Sequence, residues 1–423
     1  MPIDRRSMLL GAAAIPMAGR ALADTPHIAR ADDEAGWAQI AALYDKPRDV
    51  VQLENAYWGV MARPVQAVYA EKLAFVNRQS SYYARRQWYA DMNAVRARVA
   101  AQLGVGTDEI MLTRNATEAL KALIGNYAGL RAGDAVMFAD LDYDSMQASM
   151  TRMAKQRGLD LIRLSIPEPA SHQGLIDFYE AALRAHPKTR LLLLTHLSHR
   201  TGLVPPVREI VAMARTHGVD CIVDAAHSWG QLDFTLPDLG ADFVGLNLHK
   251  WQGAPLGAGI LYIRKARMGD IEPDIAAEGV EEDSIDARVH TGTLDFACHL
   301  TVPAALDFQQ RIGGKAKEAR LRHLRGLWAE ELRDLDGLEV LTPADPRLHC
   351  GITSFRIRGC AATQDNVDLA GRLLSEHRVM TVHRPGVAKG ACIRVTPGVF
   401  TTPDEVQALV DALKTLVPQL KRG

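Results

Sequence analysis

The sequence has few aromatic residues and no excess of charge of either sign. Phe, Trp and Tyr make up 6% of its 423 residues, and 49 Lys and Arg residues stand against 50 Asp and Glu residues, a net charge of −1. A chain without a positive field does not attract a polyanion, so the composition argues against nucleic acid as a partner. The length, with 48% apolar residues, permits a sizeable core and predicts two or three domains.

Cysteine is also scarce. The five cysteines are odd in number and no two stand in C-x-x-C spacing, which argues against a disulfide framework and against a zinc site. We therefore expect no metal. No G-x-S-x-G motif occurs, and its absence disfavours a serine hydrolase. Apart from the N-terminus, no apolar run reaches the 18 or so residues that cross a bilayer.

Residues 1–23 have the pattern of an export signal. Arg5 and Arg6 precede a short, weakly apolar run that ends in an A-x-A cleavage site at Ala23. The order of residues around the two arginines resembles a twin-arginine signal peptide, which implies the twin-arginine export machinery as a partner and cleavage after Ala23. We expect a periplasmic protein. The alternative is an amphipathic surface helix with two solvated arginines.

Short apolar runs separated by helical patterns fill the middle of the chain. Runs of Val, Ile and Leu that are apolar on both faces belong to a covered sheet, and they predict a mostly parallel α/β sheet. The closely spaced runs ADFVGLN and GAGILYI leave room for an antiparallel strand. We predict a large domain over residues 64–302 and a small C-terminal α+β domain over 303–423. An N-terminal segment, 24–63, is expected to pack on the small domain.

Proline, glycine and asparagine predict where several helices begin and end. Pro64 is placed to begin a helix, Gly104 ends an amphipathic one, and a further helix begins near Asn115. Beyond Pro303, a long helical stretch covers roughly residues 304–335.

Asp224 and Lys250 are the most informative pair of residues, because each ends an apolar strand run. In open α/β sheets ligands bind at the carboxyl ends of strands, so both side chains can reach one crevice. A buried carboxylate and a lysine amine with a cofactor between them is the arrangement that pyridoxal phosphate needs. The lysine forms a Schiff base, and the acid keeps the pyridine nitrogen protonated so that the ring accepts electrons. The pair predicts pyridoxal phosphate as the cofactor.

Eight segments follow one another in an order that resembles the class V aminotransferase family of fold-type-I pyridoxal-phosphate enzymes, near its isopenicillin N epimerase-like and cysteine desulfurase-like branches. They are LENAYWGV, TRNATEAL, LDYDSM, THLSHRTG, VDAAHSWG, NLHKW, HTGT and IRVTP. Each is weak alone, but their joint order over roughly residues 50–410 is specific. The resemblance implies a large domain with a mostly parallel, seven-stranded sheet and a smaller C-terminal α+β domain.

The resemblance also implies a phosphate site. TRNATEAL lies where a strand opens into a helix, so the N–H groups of Ala116 and Thr117 and the Thr117 hydroxyl would face the phosphate. Without a ligand the same segment is an ordinary capped helix. Asn247 and His249 match family positions that also face the phosphate. Thr293 resembles the threonine that reaches the phosphate of the neighbouring subunit, which implies a homodimer.

Three residues match family positions around the pyridine ring. Tyr143 matches the ring that stacks over the pyridine, although an isolated tyrosine at a strand end is more often a half-buried core residue. His227 matches a position near the cofactor's phenolic oxygen. His199 stands where cysteine desulfurases place an asparagine that bonds the same oxygen. A histidine donates the same bond and also titrates, so His199 is a candidate acid or base.

Arg394 matches the family arginine whose planar fork binds an amino-acid α-carboxylate. The alternative is a structural arginine paired with a neighbouring acid. The loop that covers the substrate in the family corresponds to Asn55, Tyr57 and Trp58, although a Tyr-Trp pair equally suits core packing. Arg85 and Arg86 are candidate contacts for a second acidic group of the substrate, but an exposed helix is the simpler interpretation.

The fold leaves the reaction open, because the orientation of the Cα substituents decides which bond breaks. Cysteine desulfurases need a nucleophilic cysteine on a mobile loop before the carboxylate-binding arginine. Here only nine residues separate Arg384 from Arg394, and Cys392 lies in an apparent strand. We therefore favour an exported enzyme with aminotransferase- or epimerase-like chemistry at Cα of an amino acid, or of an amino-acid-derived group in a peptide or secondary metabolite. A lyase or desulfurase is the alternative, and a non-catalytic binding protein on this fold is a further one.

Overall fold

The computed structural model describes residues 30–421, in which thirteen strands and twelve α-helices are present. The strands are β1 (Val51–Gln52), β2 (Ile110–Thr113), β3 (Ala135–Ala139), β4 (Asp160–Leu164), β5 (Thr189–Thr195), β6 (Asp220–Ala225), β7 (Phe243–Asn247), β8 (Gly259–Ile263), β9 (Leu338–Val340), β10 (Thr353–Ile357), β11 (Val379–Met380), β12 (Val382–Arg384) and β13 (Cys392–Val395). The helices are α1 (Glu34–Ala41), α2 (Arg63–Arg86), α3 (Trp88–Leu103), α4 (Ala116–Asn126), α5 (Asp144–Arg157), α6 (His172–Ala185), α7 (Val207–Thr216), α8 (Leu236–Leu239), α9 (Phe296–Ile312), α10 (Gly314–Ala329), α11 (Thr363–His377) and α12 (Pro403–Leu420).

The central sheet has seven strands in the order β2-β8-β7-β6-β5-β3-β4. All neighbouring pairs are parallel except those of β8, which runs antiparallel to both β2 and β7. The prediction of a mostly parallel α/β sheet with seven strands is confirmed. The antiparallel strand is β8, which corresponds to the run GAGILYI. The link between β7 and β8 contains no crossover helix, and such a helix usually connects parallel neighbours.

Each face of the central sheet packs against helices. In β5, Leu191 and Leu193 point into a core formed with α4 and α5, whereas Leu192 and Leu194 point into a core formed with α3, α6, α7 and α9. All four leucines are fully buried. Side chains alternate between the two faces of a strand, so a strand covered on both sides must be apolar at every position, as this one is.

The C-terminal part contains a four-stranded antiparallel sheet in the order β12-β13-β10-β9. One of its faces packs against α10, α11 and α12 around Trp328 and Phe355. The N-terminal strand β1 pairs in parallel with β11, and the backbone N–H of Asn55 donates to the carbonyl of Thr396. The segment that precedes the large domain is thus hydrogen-bonded to the C-terminal part.

Helix boundaries follow the sequence signals in three places and depart from them in one. Pro64 lies in the first turn of α2, Gly104 ends α3 in the left-handed conformation with φ of 72°, and Asn115 caps α4. The helical stretch predicted over roughly residues 304–335 is present up to Ala329, but it consists of two helices. It is divided between α9 and α10 at Gly313, whose φ of 89° is outside the helical region.

The predicted domain boundary between residues 302 and 303 falls inside a helix. Helix α9 begins at Phe296, where the Asp295 side chain caps it by accepting the N–H of Cys298, and it continues through Pro303. A proline inside a helix removes one hydrogen bond. The buried apolar side chains of α9 on both sides of Pro303 keep the helix continuous across that position.

No helix within residues 30–421 is long and apolar enough to span a bilayer. The predicted signal peptide, residues 1–23, lies outside the described residues.

Gly259 allows the N-terminus of α4 to approach the end of the sheet. A Cβ atom at this position would lie 2.5 Å from backbone atoms of Asn115. The Asn115 side chain accepts the N–H of Glu118 at 2.8 Å and so caps the helix. Only glycine permits this approach, which places the helix N-terminus beside the carboxyl end of β7.

We expect Gly259→Ala to lower the free energy of unfolding by about 1–3 kcal/mol, because the added methyl group must push the helix cap away from the strand. Gly326→Ala is the matched control. Gly326 lies inside α10 with nothing within 4 Å of an added Cβ, so alanine should stabilise that helix by about 0.5–1 kcal/mol. Urea denaturation of both variants measures the difference. Equal stabilities would contradict the close contact at Gly259.

Candidate active site

A cavity of about 580 Å³ opens at the carboxyl ends of β5, β6 and β7, between the central sheet and the C-terminal part. This volume is in the range of small-molecule and cofactor sites. The sequence-predicted residues that line the cavity are Tyr57, Ala116, Thr117, Tyr143, His199, Asp224, His227, Asn247, His249, Lys250 and Arg394. The structure thus brings together residues that are up to 337 positions apart in the sequence, from Tyr57 to Arg394.

The Lys250 amine contacts one histidine. Its Nζ lies 2.9 Å from Nε2 of His227, while the Trp251 indole N–H donates to Nδ1 of the same ring at 3.4 Å. If Nδ1 accepts, the neutral ring carries its proton on Nε2 and donates it to Lys250, so the amine must hold a lone pair. Burial lowers the pKa of Lys250 to about 8; the Arg394 and Arg384 charges act in the same direction and the Asp224 charge opposes them. Both observations favour a nucleophilic, neutral amine.

The Asp224 carboxylate is buried at the end of β6 and accepts one backbone N–H, that of Ala226, at 2.9 Å. Burial raises its pKa, whereas the Ala226 N–H and the Lys250 charge lower it. No ion pair within 4 Å joins Asp224 to Lys250 among the described contacts, although both side chains line the cavity. The buried acid and the partly buried amine therefore do not pair directly, and both line the cavity.

One predicted phosphate contact is already occupied. The N–H of Ala116 donates to Oδ1 of Asn247 at 2.8 Å, so Ala116 and Asn247 bond each other in the structure, whereas the sequence predicted that both face the phosphate. The N–H of Thr117 bonds no acceptor within the described part of the chain. Asn115 takes the N–H of Glu118, which leaves the backbone and hydroxyl donors of Thr117 as the open anion-binding groups of this helix N-terminus.

His249 lies beside that helix N-terminus. Its Nδ1 donates to the carbonyl of Ala258 at 2.8 Å, which leaves Nε2 free to face the cavity. Burial lowers the pKa of His249 to about 4, so the ring is neutral in the unliganded protein. A bound dianion would reverse this preference by stabilising the protonated ring.

Three of the rings that line the cavity are neighbours. Tyr143, which is 38% exposed, meets His199 edge to face with the ring centroids 5.2 Å apart. The rings of His199 and His227 are nearly parallel, at an angle of 19° and a centroid distance of 6.4 Å. Burial lowers the pKa of His199 to about 3, so its 3.8 Å approach to Asp144 joins a neutral ring to a carboxylate.

The Arg394 guanidinium is buried and already has partners. It donates to the carbonyl of His199 at 2.8 Å and to the Glu54 carboxylate at 2.5 Å. The pairing with a neighbouring acid, which was the alternative interpretation of this arginine, is thus present, and Arg394 also lines the cavity. The sequence analysis does not identify Glu54, although this residue belongs to LENAYWGV, one of the segments that carry the family resemblance.

The structure does not bring every predicted residue to the cavity. Asn55 lies behind it, where its amide donates to the carbonyls of Gln52 and Thr396. Trp58 is 48% exposed and meets Tyr57 edge to face at 5.4 Å. Thr293 is exposed outside the cavity of this chain, and the expected contact with a neighbouring subunit stays a prediction.

Arg85 and Arg86 are exposed in the last turn of α2, in agreement with the simpler interpretation.

The backbone beside Lys250 is tightly packed. The N–H of Gly59 donates to the carbonyl of His249 at 2.8 Å, and a Cβ at Gly59 would collide with the carbonyl of Lys250.

All five cysteines lie within residues 30–421. They are buried, and none of them lines the cavity. Cys392 lies within β13, and burial raises the pKa of its thiol to about 11. A thiol with that pKa is almost fully protonated near neutral pH, and the thiolate is the nucleophilic form. The described cysteines are therefore placed as core residues.

Comparison with known proteins identifies the family. The class-V aminotransferase family model matches residues 60–409. An isopenicillin N epimerase from Amycolatopsis lactamdurans is 31% identical over 341 residues, which cover 76% of this chain and 84% of the epimerase. A cysteine desulfurase from Escherichia coli superimposes with a TM-score of 0.75 at 22% identity, over 91% of this chain and 99% of the desulfurase.

A third similar protein is a variant of the cystine C–S lyase C-DES with glycine covalently linked to its pyridoxal phosphate cofactor; it has a TM-score of 0.74 at 22% identity and covers 86% of this chain and 96% of its own. These likenesses confirm the predicted fold type I. The chain belongs to the class-V aminotransferase family, a family of pyridoxal-phosphate enzymes, so the predicted cofactor is confirmed as well.

The residues of the cavity fit pyridoxal phosphate. The Thr117 donors at the N-terminus of α4 suit a phosphate. The buried Asp224 carboxylate, which has one backbone partner, suits a protonated pyridine nitrogen. Lys250 presents an amine of lowered pKa to the same cavity. These are the three contacts that the cofactor requires, and the cavity supplies each with a different element.

We expect the apoprotein to bind pyridoxal phosphate covalently at a rate that rises with pH and levels off above about pH 9. A group whose pKa is lowered to about 8 is about half neutral at pH 8 and about one-tenth neutral at pH 7. Stopped-flow absorbance of the bound cofactor measures the rate, and Lys250→Ala, which cannot form the bond, is the control. A rate that keeps rising beyond pH 10, as for an ordinary lysine, would contradict the lowered pKa.

Proposed function

We propose that this protein is a pyridoxal-phosphate-dependent enzyme that breaks and remakes a bond at Cα of an amino acid, or of an amino-acid-derived group in a peptide or secondary metabolite. The observation that carries the proposal is the placement of Lys250, His227 and Asp224 around one cavity at the strand ends. Proton removal at Cα is the step that epimerases and aminotransferases share. The reaction proposed here is therefore of the epimerase or aminotransferase type.

The bound cofactor supplies an electron sink for the pair of electrons left at Cα. The residues of the chain do the rest. Lys250, with its pKa lowered to about 8, is matched to take and return a proton near neutral pH. His227 holds the amine through Nε2 at 2.9 Å and is itself held by Trp251. Asp224 would hold a proton on the ring nitrogen of the bound cofactor, because a buried carboxylate stabilises a positive charge.

Two observations favour this reaction over cysteine desulfuration. The cavity has no cysteine among its described lining residues, and Cys392, the cysteine nearest to Arg394 in the sequence, is buried with its pKa raised to about 11. The 31% identity to an epimerase over most of the chain also supports chemistry at Cα. A lyase that needs no cysteine of its own remains the second candidate, supported by the fold shared with a cystine C–S lyase.

Export and dimer formation are part of the same proposal. The paired Arg5 and Arg6 and the A-x-A site at Ala23 support export to the periplasm through the twin-arginine machinery, with the signal peptide removed. A homodimer is supported by the resemblance of Thr293, which is exposed and outside the cavity of its own chain, to a threonine that acts across a subunit interface.

Exchange of the Cα proton tests the reaction. In D₂O the holoprotein should catalyse loss of the Cα–H NMR signal from at least one member of a panel of amino acids and short peptides. Lys250→Ala should lose at least about a hundredfold in rate, because the base is gone. Cys392→Ala, checked for an unchanged melting temperature, should retain the rate. Sulfur release that disappears in Cys392→Ala would instead establish the desulfurase alternative.

Asp224→Asn should retain the bound cofactor and its colour while losing about one to two orders of magnitude in turnover. The amide occupies the same volume and still accepts a hydrogen bond, but it does not stabilise the charged pyridinium. A charge-assisted hydrogen bond contributes roughly 1.5–3 kcal/mol, which sets that loss if the bond acts mainly in the transition state. Absorbance and exchange rate are measured together. Undiminished turnover in a coloured variant would show that the ring nitrogen is not used.

A further inference from the structure

Asp142 lies in the turn between β3 and α5, and its carboxylate connects this turn to the neighbouring strand β5. One carboxylate oxygen accepts the N–H of Ala139 at 2.7 Å, and the other accepts the hydroxyl of Thr195 at 2.6 Å. Asp142 is 2% exposed and Thr195 is 7% exposed. Both hydrogen bonds are therefore shielded from water, and the hydroxyl proton of Thr195 is committed to Asp142.

Thr195 is the last residue of β5 and stands opposite Asp224 in the parallel pairing of β5 with β6. The two strand ends are joined at this point, because the N–H of His196 donates to the carbonyl of Asp224 at 2.9 Å. Residues that are paired across two parallel strands point to the same face of the sheet. Thr195 and Asp224 both line the cavity, so the Thr195 hydroxyl is the neighbour of the acid that suits the pyridine nitrogen.

Two buried acids thus lie at this end of the cavity, and within residues 30–421 neither forms an ion pair. Burial raises the pKa of Asp142 to about 7; the charge of Asp224 acts in the same direction, whereas the hydrogen bonds from Thr195 and Ala139 lower it. A positive charge in the cavity would favour the ionised form of both acids. The arrangement therefore suits a ligand that carries a positive charge beside Asp224.

The turn after β3 does not by itself require an acid that reaches Thr195. A single acceptor closes the turn on the N–H of Ala139, and an asparagine supplies such an acceptor. The second oxygen of Asp142 has a different effect. Because Thr195 donates its only hydroxyl proton to Asp142, its oxygen presents lone pairs to the cavity and no proton. The hydroxyl therefore adds to the negative potential beside Asp224, and the charge of Asp142 strengthens this polarisation.

We propose that Asp142 is a positioning residue of the cofactor site, which acts through the Thr195 hydroxyl to stabilise the positive charge of a protonated pyridine nitrogen beside Asp224. Asp142 does not line the cavity itself, whereas Thr195 and Asp224 do. The inference rests on the cofactor of the family and not on the type of reaction at Cα, so it applies equally to each of the candidate reactions.

Asp142→Asn separates the charge of this residue from its role in the turn. The asparagine oxygen can still accept the N–H of Ala139, but its amide N–H donates to the Thr195 oxygen, so that the hydroxyl proton turns away from residue 142. The probes are pyridoxal phosphate and its deaza analogue, in which a C–H group replaces the ring nitrogen and no positive charge can form there. Absorbance titration of the apoprotein with each probe gives two dissociation constants for every variant.

We expect Asp142→Asn to weaken the binding of pyridoxal phosphate by about three- to tenfold, the size of one ordinary hydrogen bond, and to leave the binding of the deaza analogue unchanged. The NMR chemical shift of an isotopically labelled ring nitrogen should move toward that of the unprotonated ring in the same variant. Equal losses for both probes would show a merely structural effect and overturn the proposal. Wild-type dissociation constants for both probes would overturn it as well.

Asp140→Asn is the matched control. Asp140 is an acid of the same turn, but its carboxylate accepts the backbone N–H groups of Ile166 and Ala388 and does not line the cavity. Any loss of binding in this variant should be the same for both probes. A loss confined to pyridoxal phosphate in Asp140→Asn would contradict a specific role of Asp142.

A second pair of variants tests the link through Thr195 if Asp142→Asn does not fold. Thr195→Val removes the hydroxyl and should show the same selective loss, and Thr195→Ser, which keeps the hydroxyl, should restore the wild-type ratio of the two dissociation constants. Equal ratios in Thr195→Val and the wild type would overturn the proposal. The proposed function fails separately: a coloured wild type without Cα exchange contradicts that function and leaves these binding ratios unaffected.

Discussion

The structure depends on keeping the Lys250 amine and the Asp224 carboxylate in one cavity without letting them pair. In water the two groups would both be charged, and at close range inside a protein they would attract each other strongly. Here Asp224 lies at the end of β6, and Lys250 lies just beyond the end of the neighbouring strand β7. The Lys250 amine contacts His227 instead of Asp224. The separation is thus set at the ends of two adjacent parallel strands. Both groups are therefore placed before the cofactor binds, which is the preorganisation that electrostatic catalysis requires.

Sequence reasoning succeeded where a residue's role depends on its own strand or helix. Asp224 and Lys250 could be predicted because one lies at the carboxyl end of a buried strand and the other just after such an end, and the carboxyl ends of parallel strands meet at one edge. The cap at Asn115 and the helix end at Gly104 follow from local backbone chemistry. Such features need no knowledge of distant contacts.

The parts that sequence reasoning missed depend on contacts between distant segments. Asn55 was chosen from the right segment, but the neighbouring Glu54 is the residue that reaches Arg394, and only the pairing of the N-terminal strand with the C-terminal part decides which of the two points inward. Ala116 was expected to offer its N–H to a phosphate, yet a side chain 131 residues away accepts it. Arg384 also lines the cavity. Its pairing with Cys392 places it on the same sheet face as Arg394, but strand register is not visible in a single sequence.

The segment from Val51 to Gly59 has a mechanical consequence. It is hydrogen-bonded at one end to β11. Its Glu54 carboxylate accepts a hydrogen bond from Arg394, and its Gly59 lies against the backbone of Lys250. A ligand carboxylate that competes for Arg394 acts on the same nine residues that buttress the lysine. The residue that pairs with the substrate-side arginine and the residue that packs against the reactive lysine are therefore joined by only four intervening positions of one backbone segment.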